Sequence, residues 1–227
     1  MKLLALDTST EACSVAIGDG EQRWSRFEIC PRQHNQQLAS MLREVREEAG
    51  LDFADLDGLV CGIGPGSFTG IRIAVGMAQG MAAALDIPVM PVTTTASLAL
   101  QALRRYPDAR QAAIAMDARM GDIYWAIYGV GGAGMPIVVE VERLADPATL
   151  ALPSGAPWVA AGSLWRSEGS PLAALLEADT PVADDLHPDA ANMLELARHD
   201  WQPIAPAALS PLYLRSEVAR KSAAANR

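Results

Sequence analysis

The segment that most constrains the fold is an apolar run at 58–61 that enters a glycine-rich turn and continues as a helix to Leu85. The turn at 64–66 contains two glycines and a proline. It is tight because glycine accepts positive φ whereas proline fixes its own. Ser67 or Thr69 is placed to cap the helix that follows. A buried strand, a sharp turn and a helix in this order predict an α/β layer.

The start of this helix is suited to an anion, because its free backbone N–H groups and its dipole favour negative charge. The spacing differs from the phosphate-binding pattern Gly-x-x-x-x-Gly-Lys-Ser/Thr, and no lysine follows the turn. A P-loop of that kind is therefore excluded. An ordinary strand-to-helix turn and a ligand-binding loop both remain open.

Small residues cover this second helix almost all round. They are Gly70, Ala74, Gly76, Ala78, Gly80, Ala82, Ala83 and Ala84. So little polar surface predicts that both faces are covered, one by this chain and one by another subunit. Arg72 and Gln79 interrupt the apolar run, and glycine and proline fill its first third, so a buried helix is favoured over a membrane span.

Composition limits the class of protein. The chain has 227 residues with 18 basic and 27 acidic side chains, and its net charge of −9 excludes a protein that grips nucleic acid by phosphate contacts alone. Cys13, Cys30 and Cys61 are an odd number without Cys-x-x-Cys spacing, and Asp7 follows the N-terminus too early for a signal peptide. These features predict a cytoplasmic protein with reduced thiols.

The order of elements predicts two lobes. Strands are expected over 2–6, 12–17, 21–29, 58–63, 89–92, 112–116, 123–130, 137–141 and 158–161, and helices over 33–49, 67–85, 96–103, 172–177 and 190–198. A three-strand meander followed by crossover units implies a mixed sheet with helices against it. The polar stretch at 104–108 divides a first lobe, 1–106, from a second, 107–211.

The C-terminal part of the chain carries three further expectations. Residues 212–227 either stand apart or return to the first lobe. The stretch 208–215 is expected to be ordered, and 221–227 is expected to be a frayed, mildly basic tail.

A candidate chemical site is the polar bend after the first strand, formed by Asp7, Thr8, Ser9 and Thr10. A carboxylate at a strand end with hydroxyls beside it can hold a metal-bound phosphate. The glycine turn favours this interpretation, because a split phosphate site needs two loops. The alternative is an Asx or Ser/Thr turn that is stabilised by its own side chains.

Two other polar features have weaker chemical meaning. His34 lies near the start of the first helix, and the position four residues later is Leu38, so no helical metal pair is present and a partly exposed residue or a helix-end contact is predicted. Asp117, Arg119 and Asp122 form a charged hairpin loop, which is either a solvated tip or a contact for a partner.

Four stretches resemble the bacterial TsaB family, also called YeaZ. They are LALDTSTEACSVA at 4–16, GIGPGSFTGIR at 62–72, DARMGDIY at 117–124 and LYLR at 212–215. The resemblance implies an α/β fold of the actin and sugar-kinase-like ATPase superfold, which is ribonuclease H-like, with two lobes of mixed sheets and flanking helices. It further implies a cytoplasmic, non-catalytic subunit of the machinery that makes threonylcarbamoyladenosine next to the anticodon of tRNA.

The resemblance also implies partners. The chain would form a heterodimer with the paralogue TsaD and a homodimer when it is alone. It would help to recruit the ATPase TsaE and would contact tRNA only through the complex. The first two helices would form the dimer surface through His34, Leu38, Met41, Leu42, Ile73, Met77, Gly76 and Gly80. No metal or cofactor is expected, because TsaD-type proteins carry a His-x-x-x-His pair on the first helix and this chain keeps one histidine there.

Two functions from other classes stay open at this stage. The first is an ATP-hydrolysing enzyme of the kinase and actin superfold, with Asp7 organising the metal and the bend at 7–10 holding phosphate. The second is the glycoprotease label once given to the wider family. The missing metal pair and the missing nucleophile motif argue against it.

Overall fold

Two five-stranded sheets form the framework of this computed structural model, which describes residues 1–215. The first sheet contains β1 (Lys2–Asp7), β2 (Ala12–Asp19), β3 (Gln22–Ile29), β4 (Gly58–Gly62) and β5 (Val89–Val92). The second contains β6 (Gln111–Asp117), β7 (Ile123–Val130), β8 (Pro136–Ala145), β9 (Trp158–Ala161) and β10 (Val182–Ala183). The α-helices within residues 1–215 are α1 (His34–Ala49), α2 (Phe68–Leu85), α3 (Thr94–Arg105) and α4 (Ala190–His199).

The two sheets repeat one topology. Their neighbour orders are β3-β2-β1-β4-β5 and β8-β7-β6-β9-β10. In each sheet the first three strands form an antiparallel meander, and the last two strands add in parallel. Parallel addition needs a crossover from one end of the sheet to the other. The predicted meander followed by crossover units is therefore confirmed, and the second lobe repeats it.

The first sheet is buried on both faces. Along β1, Leu4 and Leu6 join the core beside α1 and α2, whereas Leu3 and Ala5 join the core beside α4. Alternate strand residues point to opposite faces, so a strand that is apolar at every position fits a sheet covered on both sides. The sheet is thus the middle layer of a three-layer lobe.

The ends of α1 and α2 follow ordinary capping rules. Gly50 ends α1 with a φ of 64°, a left-handed conformation that glycine adopts without strain. Ser67 is the N-cap of α2, and its hydroxyl accepts a hydrogen bond from the N–H of Gly70 at 3.3 Å. The predicted choice between Ser67 and Thr69 is settled for Ser67.

Two helices pack differently from the predicted division at 106/107. Helix α3 was expected in the first lobe, but its Leu98 and Ala102 pack with the second sheet. Helix α4 was expected in the second lobe, but Met193 and Leu194 pack against Leu3 and its neighbours in the first sheet. The two helices lie between the sheets, so each lobe is completed by residues from the other part of the chain.

The predicted helix at 172–177 is wrong. The structure has only a single 3₁₀ turn there, Ala173–Leu175, while Leu172 is buried in the second lobe. Six residues after Pro171 are too few to offset the cost of helix nucleation. The short strand β10 was not expected, and β8 is longer than the predicted 137–141.

The chain returns to the first lobe after α4. Ile204 bridges Val89 of β5, Leu209 is buried in the first core, and the N–H of Leu212 donates to the carbonyl of Ile63 at 2.9 Å. The order predicted for 208–215 is confirmed. The rest of the predicted segment 212–227, including the basic tail at 221–227, lies outside the described residues.

Candidate functional site

The bend after β1 is fully buried at its first three residues. Asp7, Thr8 and Ser9 have no exposed surface. The N–H and the hydroxyl of Ser9 both donate to Oδ1 of Asp7, at 2.8 and 2.9 Å. The hydroxyl of Thr8 donates to the carbonyl of Gly70 at 2.7 Å. The polar groups of this bend are therefore bonded mainly within the chain.

The glycine turn lies directly against this bend, as the two-loop interpretation required. The N–H of Ser67 donates to the carbonyl of Ser9 at 2.7 Å. A Cβ added to Gly66 would lie 2.1 Å from that same carbonyl oxygen, and one added to Gly70 would lie 2.0 Å from the carbonyl oxygen of Thr8. Backbone of one loop therefore fills the space beside the other, and only glycine permits this approach.

Asp7 forms no ion pair with a basic side chain within residues 1–215. Burial is the main reason that its pKa is raised from 3.8 to about 6, although hydrogen bonds from Ser9 act in the opposite direction. Its Oδ2 atom has no hydrogen-bond partner, and a Cβ added to Gly62 would lie 1.7 Å from it. No group of three or more metal-ligating side chains occurs within residues 1–215.

The bend does not fit a metal-bound phosphate in this arrangement. A phosphate site needs exposed donors and a carboxylate in contact with solvent or metal, but Asp7, Thr8 and Ser9 are closed off by Gly62, the glycine turn and Thr94. Thr94 donates to the hydroxyl of Ser9 at 2.7 Å. We therefore derive no reaction step through a nucleotide at this bend.

His34 contacts the same bend. Its Nε2 lies 2.8 Å from the carbonyl oxygen of Thr10, so Nε2–H donates there, and only 8% of the residue is exposed. Of the two predicted alternatives, burial corrects the partly exposed residue, whereas the bond to Thr10 is a contact made from the first residue of α1. His34 joins the start of α1 to the bend at 7–10.

The predicted dimer surface divides into a buried part and an exposed part. On α1, His34, Leu38, Met41 and Leu42 are all at most 8% exposed and pack inside the first lobe, which corrects their assignment as partner contacts in this conformation. Leu38, Met41 and Leu42 are apolar positions at helical spacing that face the sheet. On α2, Gly76 and Gly80 are exposed, and Ile73 and Met77 are half-buried beside them.

The glycines on the exposed face of α2 contact no other part of residues 1–215. A Cβ added to Gly76 or Gly80 would meet nothing within 4 Å. Glycine in a helix interior is about 1 kcal/mol less favourable than alanine. The described fold therefore gives no reason for glycine at either position, whereas Gly70 on the same helix is required by a close contact.

Helix α2 is also the one helix within residues 1–215 that is long and apolar enough to cross a membrane. Core helices of water-soluble proteins can have the same length and composition. Ile71, Ala74, Val75 and Ala78 are buried in the first lobe, which accounts for much of its apolar character.

A second polar cluster lies between the lobes and was not found from sequence. Thr95 and Tyr128 donate hydrogen bonds to Oε1 of Glu142 at 2.6 and 2.5 Å. Burial raises the pKa of Glu142, but hydrogen bonds from Thr93, Thr95 and Tyr128 outweigh it and hold the pKa below its ordinary value. A cleft of about 530 Å³ opens beside this cluster. The threonine run at 93–95 was its only sequence signal, and it predicted a helix cap, which is Thr93.

The charged hairpin at 117–122 holds the C-terminal segment. Arg215 donates to Oδ2 of Asp122 at 2.8 Å and to the carbonyl of Ala118 at 3.3 Å, and Arg119 pairs with Asp117 at 3.2 Å. The loop was predicted to be either a solvated tip or a contact for a partner. It is not simply a solvated tip, because it contacts the C-terminal segment of its own chain. Contact with a partner at this loop stays a prediction.

The comparisons with known proteins agree with this fold. A family model described as TsaD, tRNA N6-adenosine threonylcarbamoyltransferase, matches residues 28–159. The chain is 35% identical over 230 residues to the tRNA threonylcarbamoyladenosine biosynthesis protein TsaB of Escherichia coli, which covers 97% of both chains. It is 32% identical to the TsaB protein of Haemophilus influenzae, covering 97% of this chain and 96% of that one.

A solved structure agrees as well. YeaZ from Pseudomonas aeruginosa superposes with a TM-score of 0.84 at 37% identity, covering 94% of this chain and 99% of that one. The repeated topology and these matches define a two-lobed protein of the actin and sugar-kinase-like superfold that is related to TsaD. The chain belongs to the TsaB (YeaZ) family of tRNA threonylcarbamoyladenosine biosynthesis proteins.

Proposed function

We propose that the chain is a non-catalytic subunit of the threonylcarbamoyl transfer machinery in the cytoplasm. It docks on the paralogue TsaD through the exposed face of α2, activates that subunit, and helps to recruit the ATPase TsaE. Transfer itself, to the adenosine next to the anticodon of tRNA, takes place on the partner. When no partner is present, two copies of the chain pair through the same face.

The observation that carries this proposal is the pair of exposed glycines on α2. Gly76 and Gly80 are one helical turn apart, and their missing side chains leave backbone accessible along one line of the helix. Small residues at such spacing allow another helix to approach closely. Ile73 and Met77, half-buried beside them, supply apolar area that a partner would cover.

The burial and internal hydrogen bonding of the bend at 7–10 support the proposal that this subunit needs no cofactor. The carboxylate of Asp7 and the hydroxyls of Thr8 and Ser9 are used within the chain and are shielded from solvent. The negative charge of the chain also supports indirect contact with tRNA, since a net charge of −9 repels phosphate.

A reconstituted assay tests this function. TsaD, TsaE, tRNA and the enzyme that makes threonylcarbamoyl-adenylate are combined with labelled threonine, with and without the chain. We expect label in tRNA only when the chain is present, no transfer by the chain alone, and no ATP hydrolysis by the chain alone. Transfer of equal rate without the chain would refute the proposal.

The same preparation tests the alternative of an ATP-hydrolysing enzyme. If the isolated chain hydrolyses ATP and Asp7→Asn abolishes this while circular dichroism stays unchanged, the alternative is correct. Asparagine keeps the shape of the side chain but removes its charge, so a loss of hydrolysis would assign the metal-organising role to the carboxylate.

A further inference from the structure

An exposed arginine is held between two aromatic rings at the start of α2. The guanidinium carbon of Arg72 lies 3.4 Å from the centre of the Phe68 ring and 5.4 Å from that of Tyr213, and its Nε donates to the Tyr213 hydroxyl at 2.8 Å. We call these three residues the Arg72 cluster. Both aromatic residues are about half exposed, at 54% and 52%.

The charge of Arg72 is not neutralised by the described part of the chain. Arg72 is the only charged residue of α2, and no carboxylate within residues 1–215 lies within 4 Å of its nitrogens. Its two Nη atoms have no acceptor among the described residues, since its hydrogen bond to Tyr213 uses Nε. This is notable in a chain with 27 acidic and 18 basic side chains.

The cluster also fixes the arginine before any partner arrives. A free arginine side chain loses about 2 kcal/mol of rotamer entropy when it is immobilised. Stacking on Phe68 and the hydrogen bond to Tyr213 restrict it in advance. A planar guanidinium with free Nη groups is shaped to accept a carboxylate in a bidentate pair.

The position of Arg72 relates it to the docking face. Arg72, Gly76 and Gly80 are exposed at successive intervals of four residues, so they lie along one line of the helix. A protein that packs along the two glycines reaches Arg72 at the end of its contact. A close backbone approach at the glycines favours a protein partner over a nucleic acid.

Resting on the proposed function, we infer that the Arg72 cluster is the charged anchor of the docking face and binds an Asp or Glu carboxylate of the partner protein that packs on α2. The pair fixes the register of the partner along the helix, since a carboxylate meets the guanidinium only at one position. Apolar contacts at Ile73 and Met77 are less directional and do not fix it.

Charge reversal tests this inference. The affinity for purified TsaD is measured by calorimetry at low and high salt for the wild type, Arg72→Glu, Arg72→Lys and the control Arg166→Glu, an exposed arginine of the second lobe. We expect Arg72→Glu to weaken binding about thirtyfold or more, because it opposes two carboxylates. Arg72→Lys keeps the charge but loses the planar stack, so about a fivefold loss is expected. The control stays within about twofold.

Salt separates a charged anchor from a structural contact. Wild-type affinity falls as salt rises, and Arg72→Ala reduces that dependence, because one ion pair is removed. An Arg72→Glu variant that keeps wild-type affinity while it loses unfolding free energy would overturn the inference, since the cluster would then only hold the C-terminal segment. A variant that weakens only self-association, or only the affinity of the assembled complex for tRNA, would overturn it equally.

Different results would refute this inference and the proposed function. If Gly80→Arg abolishes binding to TsaD while Arg72→Glu does not affect it, the docking face is correct and the charged anchor is wrong. If the wild type itself does not bind TsaD, both are wrong.

Discussion

At the first turn of α2, Gly70 lies against the carbonyl of Thr8, whereas Gly76 and Gly80 on the later turns face open space. The same residue type therefore serves two purposes on one helix. Gly70 is needed by the chain's own fold, because its lack of a Cβ lets the bend at 7–10 close on the helix. The two later glycines are needed by nothing within residues 1–215, which points to a contact made by another molecule.

The buried end of the helix is also where a chemical site was expected. The bend at 7–10 and the glycine turn do meet, but they meet by filling each other. In contrast, Gly76 and Gly80 lie on the solvent face of the later turns, and their surface stays available. On this one helix, a glycine of the first turn is enclosed by the chain's own fold, whereas the two later glycines are exposed.

The largest expected effect is on the free energy of unfolding when the enclosed glycine, Gly70, is replaced by alanine. In Gly70→Ala the added methyl carbon would lie 2.0 Å from the carbonyl oxygen of Thr8, which is far too close, so the backbone must move. We expect a loss of about 3 kcal/mol in the free energy of unfolding, measured by urea denaturation. Wild-type stability in this variant would show that the two loops are not in close contact.

The second largest effect is expected on binding to TsaD when an exposed glycine of α2 is replaced by arginine. Gly80→Arg or Gly76→Arg leaves the lobe folded, because an added side chain meets nothing within 4 Å. In a packed interface the same arginine is buried without a partner, so the affinity for TsaD is expected to fall about a hundredfold, or about 2.8 kcal/mol. Calorimetry measures the affinity, and Ala174→Arg, at an exposed site of the second lobe, is the matched control. Unchanged affinity in both variants would remove α2 from the interface.

A smaller effect concerns the charge of Asp7. Since its pKa is raised from 3.8 to about 6 in the folded chain, the folded state binds the proton more tightly, and stability falls as pH rises through this interval. The slope reaches about 1.4 kcal/mol per pH unit. Asp7→Asn is expected to remove about 2 kcal/mol of this change between pH 4 and pH 6, measured by urea denaturation at each pH. Equal pH profiles for wild type and variant would show that the carboxylate is not desolvated.

The smallest effect returns to the exposed glycines. Gly80→Ala is expected to raise the free energy of unfolding by about 1 kcal/mol, because alanine is the better helix former and the new methyl group has space. The same denaturation experiment as for Gly70→Ala measures it, and the two variants should differ in sign. A destabilised Gly80→Ala would mean that the chain itself needs this glycine.

Much of this arrangement was predictable from local sequence. Helical spacing of Leu38, Met41, Leu42 and Val45 predicts α1, and the glycine turn followed by small residues predicts α2. The two-loop interpretation placed the bend at 7–10 beside that turn, and the structure brings them together because β1 and β4 are parallel neighbours. The resemblance predicted the superfold, and the repeated topology confirms it.

What the sequence did not predict depends on contacts between distant residues. The apolar faces of α3 and α4 show that each helix is buried, but not against which sheet. Glu142 has no local pattern that links it to Thr95, which lies 47 residues earlier. His34 and Leu38 were assigned to a partner surface from the resemblance, and helical spacing alone does not distinguish a face buried by the sheet from one buried by another chain.

Hydrogen exchange on the complex tests the docking face most directly. With TsaD added, amide exchange measured by mass spectrometry is expected to slow in peptides covering 72–84 and to stay unchanged in those covering β8. The strand β8 is the rival surface, because Ile137, Val138, Val139 and Val141 are 53–65% exposed at the edge of the second sheet. Slower exchange in β8 with no change along 72–84 would contradict docking through α2.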